Sequence, residues 1–154
     1  MSAHKPLEGV KVVELASFVA APTAGRMMAE MGADVIRVES TAGDPWRFYG
    51  ANCGLPITDE ENPLFDIYNL GKKDIQLNTK TPEGKEILFH LLDEADVFIT
   101  NNRLKSLVRS GLDYESLKDR FPKLIYGLVT GYGQTGPDVD APGYDGVAFF
   151  SRSG

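Results

Sequence analysis

Two apolar, β-branched runs enclose one helical pattern near the start of the chain. The runs are Val10-Lys11-Val12-Val13-Glu14-Leu15 and Val35-Ile36-Arg37-Val38, and residues 22–31 lie between them. Both runs predict strands, whereas the middle segment has apolar residues at helical spacing, begins with Pro22 and is followed by Gly32, which predicts a helix. A strand, a helix and a strand of these lengths are typical of a crossover between two parallel strands.

The same alternation continues along the chain. Further strands are predicted at 74–77, 97–99 and 124–129. A helix is predicted from Pro82 to about Glu94, with Thr81 as its N-cap and a core stripe of Ile87, Leu88, Leu91, Leu92 and Ala95. Short helices are expected at about 104–108 and after Asp113, and long loops at 40–63 and 130–143. The sequence therefore predicts an α/β fold with a doubly wound, mostly parallel, Rossmann-like sheet and helices on both faces.

Composition excludes several classes of protein. The chain has 154 residues, the length of one ordinary domain, and a net charge of −6, so a broad nucleic-acid-binding surface is not expected. One cysteine and two histidines allow neither a disulfide nor a zinc cluster. No apolar run approaches the length of a membrane span, and no signal peptide is evident. We expect a cytoplasmic protein without a metal, a nucleic-acid partner or membrane attachment.

Two possible nucleotide motifs carry little weight. The turn after the first strand, residues 16–22, contains no glycine, which argues against a dinucleotide fingerprint. Without that fingerprint, Glu39 is interpreted as a solvated strand end rather than a ribose ligand. Residues 131–136 are rich in glycine but lack the ending of a phosphate loop, so by themselves they indicate a mobile connection.

Isolated reactive side chains are interpreted as bystanders, with one exception. His90 lies off the apolar stripe of its helix and is expected at the surface. Cys53 has no adjacent cation to activate its thiol. Lys72, Lys73 and Lys80 form a basic group that would ordinarily be a solvated face. Lys80, however, stands between a strand end and a helix start, where phosphates bind well, so both interpretations stay open.

Several ordered motifs resemble the class III CoA-transferases of the CaiB/BaiF type. They are PLEGVKVVEL at 6–15, AP at 21–22, MGADVIRVE at 31–39, LNTKTPEG at 77–84, ADVFITN at 95–101 and GYGQTGP at 131–137. NLGKK at 69–73 and NNR at 101–103 are most similar to the amino-acid-fermentation branch. Enzymes of that branch move CoA between 2-hydroxy acids, such as phenyllactate or 2-hydroxyisocaproate, and their acrylate products.

The resemblance implies a CoA site and a set of residues that form it. The residues that match family CoA contacts are Val19, Ala20, Leu77, Asn78, Thr79, Lys80, Asn101, Asn102, Arg109, Tyr144 and Asp145. Lys80 and Arg109 can neutralise phosphates, and Val19 and Leu77 can pack apolar parts of CoA. Val19 and Ser40 stand where formyl-CoA transferase has glutamine and arginine, which argues against formate-type substrates. CoA thioesters are implied as substrates, with no permanently bound cofactor.

The resemblance also implies how the enzyme works as a whole. The family nucleophile is an aspartate that forms anhydride and thioester intermediates, and its motif lies downstream of Gly154. Residues 1–154 are therefore expected to be the N-terminal part of the CoA-binding domain of a larger subunit, in an interlocked homodimer, and to be inactive alone. Two alternatives are an α-methylacyl-CoA racemase and a non-catalytic CoA-binding module. The racemase is less favoured because Tyr144 stands where its histidine would be.

Overall fold

The sheet has five strands, all parallel, in the order β3-β2-β1-β4-β5. The computed structural model describes residues 4–58, 60–144 and 146–150. The strands are β1 (Lys11–Leu15), β2 (Asp34–Glu39), β3 (Lys73–Gln76), β4 (Val97–Thr100) and β5 (Ile125–Leu128). The α-helices are α1 (Ala20–Glu30), α2 (Trp46–Tyr49), α3 (Pro63–Asn69), α4 (Pro82–Asp93), α5 (Leu104–Ser110) and α6 (Tyr114–Leu117), and a short π-helix spans Gly146–Phe150. The predicted doubly wound α/β architecture is confirmed.

Alternating side chains of β1 serve two separate cores. Val12 packs with Ala21 of α1 on one face of the sheet. Val13 packs on the other face with Leu88 of α4 and Leu107 of α5. Both valines are almost fully buried, because β1 is the central strand and has helices on either side.

Local signals explain where the two long helices begin. The Thr81 hydroxyl accepts a hydrogen bond from the Gly84 amide at 3.2 Å, so Thr81 is the predicted N-cap of α4, and Pro82 follows as the first helical residue. Helix α1 instead begins at Ala20, two residues before the predicted Pro22. Proline is tolerated there because amides in the first turn have no partner within the helix.

Part of the sequence prediction is wrong. The predicted loop at 40–63 contains α2 and a 3₁₀ turn at Gly50–Cys53, and α3 was not predicted at all. A signal for α3 was present, because Asn62 caps it by accepting from the Phe65 amide at 3.3 Å and Pro63 begins it. In α4, Leu88 and Leu92 are buried as predicted, whereas Ile87 is 44% exposed.

Candidate active site at the carboxyl edge of the sheet

A cavity of about 210 Å³ opens at the carboxyl edge of the sheet. Three of the predicted CoA-binding residues, Leu77, Thr79 and Asn102, line it. They come from the segments after β3 and β4, which are separated in the sheet by β2 and β1. The other lining residues belong to the ends of β1 and β2 and the turns after them: Leu15, Ala16, Ser17, Val38, Glu39, Ser40, Asp44 and Pro45. Ligands of parallel α/β sheets bind at this edge.

The turn after β1 contains a left-handed residue that is not glycine. Phe18 has φ 63°, and among the described residues it is the one non-glycine residue with positive φ. This conformation costs a side-chain-bearing residue roughly 1–2 kcal/mol. The Phe18 amide donates to both carboxylate oxygens of Asp44, each at 3.2 Å, which compensates for that cost.

Asn101 holds the same turn from the opposite side. Its Oδ1 accepts from the Ser17 amide at 3.0 Å, and its Nδ2 donates to the Ser17 carbonyl at 2.7 Å. The side-chain amide thus pairs with a backbone residue as a neighbouring strand would. Asn101 follows β4, and Asp44 lies in the segment after β2, so both neighbours of β1 in the sheet support its turn.

Aromatic contacts bring the distant Tyr144 to this turn. The Phe18 ring packs edge-on against the Tyr144 ring at 5.9 Å and tilted against the Trp46 ring at 6.2 Å between centroids. Gly131 and Gly143 approach so closely that a Cβ on Gly131 would lie 2.5 Å from the Gly143 Cα. The glycine-rich segment, interpreted from sequence as a mobile connection, therefore forms a loop whose two ends, Gly131 and Gly143, are in contact.

A buried ionic network lies beside the cavity, and its members were not predicted as a group. Arg37 is fully buried and pairs with Asp44, Glu39 and Asp74, and its Nε lies 3.6 Å from Glu14 Oε1. The interacting side chains are three cations and four carboxylates: Arg37, Arg47, Lys72, Glu14, Glu39, Asp44 and Asp74. Arg47 and Asp74 are partly exposed, whereas the other five side chains are buried, and charges this deep in a protein are retained when they are paired.

Glu39 belongs to this network, so its interpretation as a solvated strand end is wrong. It is 3% exposed, and Arg47 donates to both of its carboxylate oxygens at 2.7 and 2.8 Å. Burial raises the pKa of Glu39, but the hydrogen bond from Arg47 and the charge of Arg37 outweigh it and hold the pKa at about 2. The same contacts occupy the oxygens that a ribose ligand would need.

Lys72 was expected as part of a solvated basic face and is instead buried. Its ammonium donates to both oxygens of the fully buried Glu14, at 3.0 and 2.8 Å, and to the Pro22 carbonyl at 2.9 Å. Burial disfavours the charged form of both groups, so it raises the pKa of the Glu14 carboxyl and lowers the pKa of the Lys72 ammonium. Lys73 and Lys80, the other two members of the predicted group, are exposed.

Comparison with known proteins identifies the family. The family model described as CoA-transferase family III matches residues 7–154. The chain belongs to this family. It is 54% identical over 146 residues to cinnamoyl-CoA:phenyllactate CoA-transferase of Clostridium sporogenes, covering 95% of this chain and 35% of that protein. It is 47% identical to (R)-2-hydroxy-4-methylpentanoate CoA-transferase of Clostridioides difficile, covering 96% of this chain and 37% of the relative.

A solved structure of a CAIB/BAIF family protein has the same fold. A CAIB/BAIF family protein from Brucella suis superposes with a TM-score of 0.85 at 44% identity, covering 92% of this chain and 38% of that one. The chain thus spans a little over a third of the length of the relatives it matches.

The other described residues that match family CoA contacts are not part of the cavity wall. Val19 occupies the N-cap position of α1 without a side-chain hydrogen bond, and Ala20 begins the helix. Asn78 and Lys80 form the turn before α4, where the Asn78 side chain accepts from the Lys80 amide at 3.2 Å. Arg109 is exposed in the last turn of α5. Asp145 lies outside the described residues.

Side chains that the sequence suggested to be bystanders are found at the surface. His90 is exposed on α4, and Cys53 is exposed at the end of the 3₁₀ turn. Within 4–58, 60–144 and 146–150, no group of three or more His, Cys, Asp or Glu side chains is arranged so that it could hold a metal ion. Over the same residues, no helix is long and apolar enough to cross a membrane.

Proposed function

We propose that this protein binds acyl-CoA for a transferase that moves CoA between an acyl-CoA and a carboxylic acid, with a 2-hydroxy acid such as phenyllactate as one substrate. CoA thioesters are then substrates rather than a bound cofactor. The two clostridial relatives at 54% and 47% identity, both named for CoA transfer involving a 2-hydroxy acid, support this choice. The proposed setting is the cytoplasm of an organism that ferments amino acids.

The observation that carries the proposal is the convergence of Leu77, Thr79 and Asn102 on one cavity. They come from two separate family-like motifs, and the fold brings both to the carboxyl edge of the sheet. Leu77 is 7% exposed and offers an apolar surface, while Thr79 and Asn102 offer hydrogen-bonding groups. Apolar walls with a few placed polar groups are typical of small-molecule sites.

The charge distribution is compatible with an anionic ligand. Two carboxylates in the cavity wall, Glu39 and Asp44, are paired with Arg37, which reduces their repulsion of a phosphate. Lys80 in the turn before α4 and Arg109 in the last turn of α5 are both exposed, so each can meet a phosphate with a charge-assisted hydrogen bond. Val19 and Ala20, with Tyr144 beside Phe18, are proposed as further contacts, and Asp145 and Asn78 complete the proposed set.

The size of the cavity suggests that it holds part of a CoA molecule. Its volume of about 210 Å³ is below the roughly 300–1,000 Å³ of typical small-molecule sites. We propose that the chain is the CoA-binding part of a larger subunit, that this subunit forms a homodimer, and that the catalytic aspartate lies outside residues 1–154. The chain's coverage of only 35–38% of its relatives supports this proposal.

Two measurements test the proposed function. Isothermal titration with CoA is expected to show binding, and titration with NAD serves as the control nucleotide. Incubation of the protein with cinnamoyl-CoA and phenyllactate, followed by chromatography, is expected to show no transfer. Absence of CoA binding would overturn the proposed function, whereas turnover would show that the nucleophile lies within these residues. Exchange of an α-proton of an acyl-CoA in D₂O would instead favour the racemase.

A further inference from the structure

The turn after β1 contains a residue with positive φ although it has no glycine, the residue type that usually adopts this conformation. Residues 16–22 contain no glycine, yet Phe18 is left-handed and the neighbouring Ala16 and Ser17 form part of the cavity wall. We propose that Asp44 and Asn101 are positioning residues, which hold this turn from its two sides and thereby shape the wall against which CoA binds. This inference rests on the proposed CoA site.

Asp44 is itself held rigidly enough to impose a backbone conformation. It is 2% exposed, and its carboxylate accepts from Arg37 Nη2 at 2.5 Å and from the Trp46 amide at 2.9 Å. Its own amide donates to Glu39 Oε1 at 2.5 Å. A buried carboxylate with these partners has little freedom to rotate, so the Phe18 amide is directed to one place.

Asn101 acts on the opposite side through a pair of hydrogen bonds to one residue. Its Oδ1 and Nδ2 reach the amide and carbonyl of Ser17, and the Thr100 hydroxyl beside it donates to the Leu15 carbonyl at 2.7 Å. The sequence suggested Asn101 as a direct CoA contact. Both polar atoms of its side chain bond to the turn, while the adjacent Asn102 lines the cavity.

A rescue experiment tests the role of Asp44. Glycine adopts positive φ readily, so Phe18→Gly should make the turn independent of the carboxylate that holds it. In the parent protein, Asp44→Asn is expected to weaken CoA binding about tenfold, the factor that matches the cost of left-handed backbone. In a Phe18→Gly background the same change should cost less than about threefold. Phe18→Ala is the matched control, because it removes the ring but keeps the Cβ, and there the loss should remain about tenfold.

The result that would overturn this role is an equal loss in all three backgrounds. Such a result would mean that Asp44 acts on CoA directly or through the general stability of the fold. Circular dichroism and thermal unfolding of each variant establish that it is folded at the temperature of the titration. If Asp44→Asn does not fold, the Asn101 variants decide the proposal.

Amide hydrogen exchange in the absence of CoA tests Asn101. Asn101→Ala is expected to speed exchange of the Ser17 amide by at least about tenfold and to weaken CoA binding, because the backbone loses both partners. Asn102→Ala is the matched control, expected to weaken CoA binding without changing Ser17 exchange. Weaker CoA binding by Asn101→Ala with unchanged Ser17 exchange would mean direct contact and would overturn the proposal, as would faster exchange with unchanged CoA affinity. If the parent protein binds no CoA, the proposed function fails. The exchange measurements then still test the turn: unchanged exchange of the Phe18 amide in Asp44→Asn and of the Ser17 amide in Asn101→Ala would show that these side chains do not hold it.

Discussion

The Glu14 carboxylate occupies the space that a Cβ atom on Gly25 would need, since that atom would lie 1.8 Å from Glu14 Oε2. Helix α1 therefore approaches β1 closely enough to cover a buried charge only because residue 25 has no side chain. An alanine in a helix ordinarily stabilises by about 1 kcal/mol relative to glycine. Gly25→Ala is expected to do the opposite and destabilise by about 3–5 kcal/mol, because it displaces the carboxylate from Lys72.

Urea unfolding followed by circular dichroism measures this effect. Met27→Ala is the control, since Met27 lies on the same helix and is 54% exposed. The control should change the free energy of unfolding by less than about 0.5 kcal/mol. A neutral or stabilising Gly25→Ala would contradict the close approach.

The buried pair of Glu14 and Lys72 should behave non-additively. Lys72→Met leaves the Glu14 carboxylate buried without its ammonium partner and is expected to cost about 3–5 kcal/mol. Adding Glu14→Gln to Lys72→Met should recover a substantial part of that loss, because the charge that lacked a partner is gone. The measurement is a double-mutant cycle by urea unfolding, with Lys73→Met, which changes an exposed lysine, as the control. Additivity within about 0.5 kcal/mol would contradict the pairing.

Acid should weaken the fold through Glu39. Its pKa is lowered from 4.5 to about 2 in the folded state, so its contribution is complete above pH 4.5 and is lost as the pH falls towards 2. The shift corresponds to a free energy on the order of 3 kcal/mol. Burial raises the pKa of Glu14, so protonation of Glu14 favours the folded state. This partly offsets the loss of stability through Glu39 and makes the observed acid dependence smaller.

Urea unfolding at several pH values between 2 and 6 should show a flatter acid limb for Glu39→Gln than for the parent. Glu86→Gln is the control, because Glu86 is exposed on α4. An acid limb that is equally steep in parent and Glu39→Gln would show that other carboxylates dominate.

Comparing the CoA affinities of Lys80 and Lys73 variants distinguishes a direct phosphate contact from the effect of removing one positive charge. Lys80 follows β3 at the carboxyl edge, whereas Lys73 begins β3 at the other edge and pairs with Asp34. Lys80→Ala is expected to weaken CoA binding about tenfold or more, since a hydrogen bond to a charged group contributes about 1.5–3 kcal/mol. Lys73→Ala should leave CoA affinity within about twofold. Calorimetric titrations at two salt concentrations distinguish the two, and equal losses would mean that no phosphate is bound at Lys80.

Most of the fold could be predicted because it depends on local patterns. The β-branched run at Val12 and Val13 and the capping sequence at Thr81 and Pro82 each specify an element without reference to the rest of the chain. The segment containing α2 and α3 has no sustained apolar period. Its aromatic side chains pack on one another rather than along one face of a long helix or strand. The Trp46 and Tyr49 rings, for example, stack at 4.6 Å.

The candidate site was predicted only in part, for a different reason. Leu77 ends a predicted strand, and Thr79 and Asn102 follow predicted strands, so the topology alone brings them to one edge. The burial of Lys72 depends on Glu14, which is 58 residues away in sequence, and no pattern near either residue signals that pair. The same applies to the hold of Asp44 and Asn101 on the turn after β1, because their partners in that turn are backbone groups that carry no sequence signal.

The close contact between Gly131 and Gly143 places Tyr144 next to the point at which the glycine-rich loop begins. Because the two glycine backbones meet, the chain returns to its starting point before it reaches Tyr144. We therefore expect that residues added or removed between the two glycines leave the Tyr144 ring against Phe18. Evolution can therefore vary the surface beside the cavity by insertion or deletion while the aromatic contact stays in register.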